Sequence, residues 1–269
     1  MDALQRYLFD LQGFIHVPDV LDPAHIATLL AEARRPRDDE PGWAPGDGRG
    51  AKLRGAQRML HYHPCFRELL AQPVVHPIVE ELCGAGFRLD HVSVHSREGA
   101  FDGGRLHGNH AFKPGGGNGF SQYRSGRLLN GLVSVAFELE DTHCNGGGFC
   151  CVPGSHKANV ALPEKYVDLT GESIDSAVQR VPAAAGDIIV FTESLIHGTL
   201  PWRAPTSRTT LFYKWNVSGS AYSGEFFDPA EFMQYPDMDA RKLAVLEPPN
   251  ARYSGSSAVL EQSKAGARL

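Results

Sequence analysis

Residues 186–215 read GDIIVFTESLIHGTLPWRAPTSRTTLFYKW and contain two strand signals joined by a polar connection. Residues 188–191 form a short apolar run after a Gly-Asp turn, and residues 209–215 are rich in β-branched and aromatic types. Similar runs occur at residues 132–139 and 148–152. Because short strands separated by turns rich in glycine and proline are typical of antiparallel barrels, this part of the chain predicts a jelly roll, the double-stranded β-helix.

The part of the chain before residue 85 has helical signals. Asp22 suits a helix N-cap and Pro23 suits the first helical position, so a helix is predicted from there to about Arg34. Residues 66–83 predict a second helical region, interrupted near Pro73 and Pro77. We expect these helices to cover one face of a sheet.

The predicted fold is therefore mostly β with flanking helices (α+β), in a single domain over residues 1–269. Within it we expect a helical support region at about 1–85, a jelly-roll core at about 86–217 and a C-terminal extension at about 218–269.

Composition narrows the classes of partner. Apolar residues make up 42% of the chain, which allows a sizeable core, and the net charge of −5 argues against a nucleic acid polymer as partner. No window is long and apolar enough to span a membrane, and the N-terminus lacks the pattern of a signal peptide. The five cysteines are an odd number, which indicates reduced thiols in the cytoplasm. The oligomeric state is not predicted.

Three blocks contain the residues with candidate chemistry: RLHGNH at residues 105–110, GGGFCCVPGSHK at 146–157, and the segment from Gly186 through His197 to Arg208. Together they resemble the phytanoyl-CoA dioxygenase family of iron- and 2-oxoglutarate-dependent oxygenases. The likeness extends from the strand after Gly13 to about Trp215.

The resemblance implies a ferrous ion held by two histidines and a carboxylate, with other positions open for 2-oxoglutarate and O2. His107 matches the first metal ligand and His197 the last. Arg208 follows eleven residues after His197 and matches the arginine that pairs with the far carboxylate of 2-oxoglutarate, a contact that suits its planar fork. Thr199 matches a hydroxyl residue that assists the same carboxylate.

Asn109 departs from the family pattern, because the position two residues after His107 should be Asp or Glu. Family relatives that lack this carboxylate are halogenases, in which chloride takes the vacated place on the iron. The amide of Asn109 would have to rotate away and could donate to the halide. The sequence therefore favours chlorination of an unactivated C–H bond, with chloride as an added cofactor and hydroxylation as the alternative.

Two other classes remain open. A binding protein that has lost catalysis together with the carboxylate would bind a small molecule without turnover, although it would have no use for Thr199 and Arg208. A zinc hydrolase would use His107, His110 and His197, but no general base is evident beside them. His156 is interpreted as structural, and the cysteines near residue 150 as buried free thiols.

The substrate prediction depends on local charge. Residues 97–127 contain five basic side chains and two acidic ones, next to the predicted iron site. We therefore expect an anionic small molecule, such as a nucleotide or a phosphorylated metabolite, contacted by Arg105, Lys113 and Arg124. A solvated basic rim is the alternative interpretation of the same residues.

Overall fold

The computed structural model describes residues 1–35, 58–108, 120–142, 146–169 and 176–251. Asn109, His110 and Lys113 lie outside these ranges. Ten strands occur in the described residues: β1 Phe14–Val17, β2 Arg88–Arg97, β3 Ser121–Arg124, β4 Arg127–Asn130, β5 Leu132–Glu138, β6 Gly148–Cys151, β7 Gln179–Arg180, β8 Ile188–Thr192, β9 His197–Leu200 and β10 Arg208–Asn216.

The strands form two facing sheets and a hairpin. The larger sheet is antiparallel, in the order β1-β8-β5-β10-β2, and the smaller one has the order β7-β6-β9. Strands β3 and β4 pair only with each other among the described strands. Buried apolar side chains from both sheets, including Ala136, Phe149 and Phe191, form a cluster between them.

Helices cover the outer face of the larger sheet. They are α1 Ala3–Gln12, α2 Pro23–Arg34, α3 Met59–Tyr62, α4 Pro64–Glu68, α5 Val75–Cys83, α6 Pro229–Phe232 and α7 Ala240–Val245, with 3-10 turns at Leu69–Ala71, Ser155–Lys157 and Glu164–Tyr166. The largest apolar cluster joins helical side chains such as Leu29 and Val79 to Leu211, Tyr213 and Trp215 of β10. The prediction of a mostly β fold with flanking helices is confirmed, whereas the division into one domain with three regions stays a prediction.

The alternation along β10 determines which side chains enter the barrel. Leu211, Tyr213 and Trp215 pack on the helices. Successive side chains of a strand point to opposite faces, so Arg208, Thr210, Phe212 and Lys214 point between the two sheets. This face of β10 provides one wall of the site described below.

The helix that begins at Asp22-Pro23 has the predicted bounds, with the Asp22 side chain accepting from the backbone of Ala24 and His25. The break near Pro73 is also present, between Ala71 and Val75. The predicted interruption at Pro77 is wrong, because this proline is the third residue of α5. Backbone N–H groups in the first turn of a helix have no partner within the helix, so a proline there removes no hydrogen bond.

Two smaller expectations concern membranes and thiols. The longest helix in the described ranges has 12 residues, and none there is long and apolar enough to cross a bilayer. Cys150 and Cys151 are buried free thiols, as predicted, and Cys144 lies outside the described residues. Cys65 and Cys83 are also buried and form no disulfide. Burial raises the pKa of the Cys65 and Cys150 thiols to about 12, so they stay protonated.

Candidate active site

His107 and His197 lie side by side at the edge of the smaller sheet. His197 is the first residue of β9, and its backbone exchanges two hydrogen bonds of 2.8 and 2.9 Å with the backbone of His107. The centroids of the two imidazole rings are 4.3 Å apart. The structure thus brings together two histidines that are ninety residues apart in sequence.

The two histidines have matching hydrogen bonds. His197 Nδ1 is 2.7 Å from the carbonyl oxygen of Leu195, and His107 Nδ1 is 3.1 Å from that of Arg105. A carbonyl oxygen can only accept, so each Nδ1 carries a hydrogen, and in the neutral form of either ring the lone pair is then on Nε2. Two such Nε2 atoms are the donor set that imidazole offers to a metal ion, with the other ring nitrogen fixed by the backbone.

The protonation state of His197 suits this role. Burial lowers the pKa of its ring to about 3, against the opposing effect of Glu193 and with a further lowering from His107. His197 is therefore neutral at physiological pH, which is the form that binds a metal.

Gly108 allows the close approach of the two histidine segments. Its φ is +126°, and a Cβ atom there would lie 2.1 Å from the carbonyl oxygen of Leu195. That oxygen is the one that accepts from His197 Nδ1. Only glycine fits at this position, and it holds His107 against the loop before β9.

Glu193 is a buried acidic residue close to His197. Glu193, in the loop between β8 and β9, has Oε2 3.9 Å from His197 Nε2. Its Oε1 accepts from the hydroxyl of Ser134 and lies 2.9 Å from Lys214 Nζ. Burial alone would raise the pKa of Glu193, but Lys214, His197 and the two hydrogen bonds lower it, so the carboxylate is ionised.

A cavity of about 550 Å³ adjoins His107. The described residues that line it are His95, Arg97, Phe101, Asp102, Gly103, Gly104, Arg105, His107, Thr199 and Arg208. Its volume lies in the range typical of small-molecule sites. Three arginines and one aspartate make this lining positively charged.

Arg208 closes the buried part of the cavity. Its Nη2 donates to Glu138 Oε1 at 3.0 Å, and Thr210 donates to the other oxygen of the same carboxylate at 2.6 Å. Its Nε is buried and has no hydrogen-bond partner among the described residues. An unpaired buried donor of a guanidinium is costly, and a carboxylate from a ligand would satisfy it. The site thus fits 2-oxoglutarate, with Thr199 lining the same cavity.

His95 lines the cavity on the strand next to that of Arg208, and it was not singled out from the sequence. It pairs in register with Thr210, so its side chain enters the barrel from β2. The side chain of His95 is open to the solvent of the cavity, and the surrounding protein atoms together with Arg208, Lys214 and Arg97 lower the pKa of its ring. Its ring is neutral at physiological pH and can donate or accept a hydrogen bond.

The remaining predicted residues lie in different places. Arg105 lies on the cavity rim and forms an exposed ion pair with Glu164. Arg124 is exposed on β3 and is not among the described residues that line the cavity. His156 is buried and bonds to the backbone of Asp10, as expected for a structural residue.

Comparison with known proteins gives the family. The family model of phytanoyl-CoA dioxygenase matches residues 9–210, about three quarters of the chain. The chain belongs to the phytanoyl-CoA dioxygenase family. It is therefore an iron- and 2-oxoglutarate-dependent oxygenase, as the sequence predicted.

Individual proteins are similar to this member of the phytanoyl-CoA dioxygenase family in sequence or in fold. Ectoine dioxygenase from Halomonas elongata is 25% identical over 244 residues, covering 80% of this chain and 70% of that protein. HygX from Streptomyces hygroscopicus, in a crystal structure with nickel and 2-oxoglutarate, has a TM-score of 0.65 at 21% identity, covering 82% of this chain and 89% of that one. The epimerase SnoN from nogalamycin biosynthesis has a TM-score of 0.57 at 22% identity, covering 80% and 83%. These likenesses confirm the predicted jelly-roll fold.

Proposed function

We propose that this oxygenase holds iron between His107 and His197, binds 2-oxoglutarate through Arg208 and Thr199, and oxidises an unactivated C–H bond of an anionic small molecule. The observation that carries the proposal is the matched pair of Nδ1 hydrogen bonds, which leaves both Nε2 atoms available to one metal ion. HygX, a structural neighbour, binds iron in one crystal structure and nickel with 2-oxoglutarate in another.

The cofactor set would supply the oxidising power when it is bound, because 2-oxoglutarate and O2 are converted to succinate and CO2. In hydroxylation the remaining oxygen atom ends in the product hydroxyl group. In chlorination a chloride ion and a proton are consumed, the chlorine forms the C–Cl bond, and the oxygen atom ends in water. The residues of this chain bind and orient the reactants. Arg208 binds the far carboxylate of 2-oxoglutarate through Nε, while Glu138 and Thr210 hold its guanidinium in place.

The charge of the cavity supports an anionic substrate. Arg97 and Arg105 line it together with Arg208, and Asp102 is the single acidic residue among the described lining. A phosphate group on a nucleotide or metabolite would suit the guanidinium groups. HygX has been crystallised with hygromycin B, a small molecule. Lys113 lies outside the described residues, and Arg124 would reach a substrate only beyond the described cavity.

One residue bears on the product. Asn109, where the family has an acid, favours chlorination, with chloride beside the iron. Hydroxylation by the same cofactor set is the alternative. A cytoplasmic location stays a prediction.

The test starts with metal-free protein loaded anaerobically with Fe(II) and 2-oxoglutarate and then exposed to O2. We expect succinate, and a rise in its rate with phosphorylated metabolites or nucleotides but not with their dephosphorylated forms. Mass spectrometry of the responding compound, with and without chloride, separates a gain of oxygen from a gain of chlorine. Absence of succinate would indicate the inactive binding protein, and activity with zinc in the absence of O2 would indicate a hydrolase.

A further inference from the structure

A polar network lies behind Arg208, on the helix side of the larger sheet. Arg34, the last residue of α2, donates through Nη2 to the hydroxyl oxygens of Ser207 and Thr209, at 3.0 and 2.9 Å. The same nitrogen pairs with the carboxylate of Glu140, which also accepts from the Ser207 hydroxyl at 2.7 Å. Arg34 thus binds the residues directly before and directly after Arg208.

The network continues to the neighbouring strand. Thr209 is fully buried, and its hydroxyl oxygen is 2.9 Å from that of Ser96 on β2. The two residues are partners in the antiparallel register, next to the pair of Arg97 and Arg208. Because successive side chains of a strand alternate between its faces, Thr209 points to the helices while Arg208 points into the barrel. Arg34 therefore acts on Arg208 through the backbone of β10.

Arg208 is held from both faces of the sheet. On the barrel side, its Nη2 donates to Glu138, the last residue of β5, at 3.0 Å. On the helix side, Glu140 belongs to the network, two residues further along the chain. Between these acids, the backbone N–H of Leu139 donates to the carbonyl oxygen of Thr209 at 3.0 Å. A guanidinium that recognises a carboxylate needs such a fixed direction, because its hydrogen bonds depend on geometry.

We propose that Arg34 is a positioning residue for 2-oxoglutarate: by holding Ser207 and Thr209, it fixes the backbone from which Arg208 presents its Nε donor to the far carboxylate. The inference rests on the proposed binding of 2-oxoglutarate by Arg208 and deepens it. Arg34 is not among the described residues that line the cavity, so it acts through Arg208 and does not touch the ligand. A residue of the helical layer thus takes part in binding the co-substrate.

The first test compares two neighbouring arginines at the end of α2. Protein loaded with Co(II) is titrated anaerobically with 2-oxoglutarate. We expect Arg34→Gln to weaken 2-oxoglutarate binding by about 5- to 20-fold and to leave the affinity for Co(II) within about twofold. Arg35→Gln is the matched control, because Arg35 follows Arg34 and pairs with Glu32; it should bind 2-oxoglutarate as the unaltered protein does.

Turnover gives a second readout that a general loss of structure would not produce. In assays of succinate formation, Arg34→Gln should raise KM for 2-oxoglutarate while kcat at saturating 2-oxoglutarate stays within about twofold, because only the binding of the co-substrate is affected. A fall in kcat with KM unchanged would overturn the inference.

A double-mutant cycle tests whether Arg34 acts through Arg208. Arg34→Gln should cost little affinity in the Arg208→Lys background, although each change alone weakens 2-oxoglutarate binding. Equal costs in both backgrounds would overturn the inference. An effect of Arg208→Lys with none of Arg34→Gln would overturn it as well and leave the proposed function standing, whereas unchanged 2-oxoglutarate affinity in Arg208→Lys would overturn the proposed co-substrate site itself.

A smaller change keeps the test independent of how well the arginine variant folds. Thr209→Val preserves the shape of the side chain and removes the hydroxyl that accepts from Arg34. We expect it to weaken 2-oxoglutarate binding by about threefold or more. Arg34→Lys keeps a charged donor and should lie between Arg34→Gln and the unaltered protein. Unaltered affinity in Thr209→Val would overturn the inference even if Arg34→Gln fails to fold.

Discussion

At the scale of single residues, Arg208 shows how the site is prepared for an anion. Its guanidinium already pairs with Glu138, so the arginine is not an isolated buried charge. The Nε donor nevertheless stays unpaired. A ligand carboxylate therefore adds a charged hydrogen bond without having to disrupt the existing ion pair.

Replacing Arg208 by lysine should weaken 2-oxoglutarate binding by about 10- to 100-fold, because lysine keeps the charge but loses the Nε donor and the planar fork. Anaerobic titration of metal-loaded protein with 2-oxoglutarate measures the loss. Arg127→Lys, on the exposed side of β4, is the control and should bind as the unaltered protein does. An affinity of Arg208→Lys within twofold of the unaltered protein would show that the co-substrate binds elsewhere.

At the scale of elements, Asp90 joins strand β2 to the segment that follows β10. Its carboxylate accepts from the backbone N–H groups of Tyr222 and Ser223, at 2.8 and 2.9 Å. His91 Nδ1 donates to the same carboxylate at 2.7 Å, and Arg88 Nη1 lies 3.1 Å from it. One buried acid thus fixes the start of the C-terminal segment on the sheet.

This contact should make stability depend on pH. Burial alone would raise the pKa of Asp90, but the bonds from His91, Tyr222 and Ser223 lower it to about 2 from an ordinary 3.8. Because the folded pKa is depressed, the stabilisation is present above about pH 4 and is lost between about pH 4 and 2, and it amounts to about 2 kcal/mol.

Asp90→Asn tests this prediction through urea unfolding at several pH values. The difference in free energy of unfolding between the variant and the unaltered protein should be large at pH 6 and should shrink as the pH falls below 4. The exposed Glu98→Gln change should show no such trend. A difference that is constant with pH would contradict the assigned role.

At the scale of the whole molecule, the helices cover one face of the larger sheet and leave the interior of the barrel to the site. Three segments converge in that interior: the bridge at His107, strand β9 with His197 and Thr199, and the start of β10 with Arg208. Ligands that contact all of these segments bind the folded chain and not the unfolded one. Their binding should therefore stabilise the fold as a whole.

Co(II) and 2-oxoglutarate are each added at about 100 times the respective Kd under anaerobic conditions. At that concentration each ligand raises the free energy of unfolding by roughly 2.7 kcal/mol, so each should raise Tm by about 5 °C or more. Differential scanning calorimetry with each ligand alone and with both gives the separate increments. Arg208→Lys should lose the increment from 2-oxoglutarate and keep that from the metal. Equal stabilisation by 2-oxoglutarate in both proteins would argue against binding at Arg208.

The sequence by itself determined the periodic and local features of this protein. Strand β10 could be recognised from its β-branched and aromatic residues, and the start of α2 from Asp22-Pro23, because these signals depend on neighbours in the chain. The pairing of His107 with His197 followed from the family resemblance. The interruption predicted at Pro77 was wrong because the effect of a proline depends on its position in the helix, and the sequence did not show that α5 begins only two residues earlier.

Only the tertiary structure decided what surrounds the two histidines. Glu193, Lys214 and His95 belong to strands or loops far apart in sequence, and no local pattern marks them. They meet because β8, β5, β10 and β2 pair in one particular register, and a shift by one residue would turn each strand side chain to the opposite face. The missing acid at residue 109 was visible in the sequence, but the acid that faces His197 became visible only in the fold.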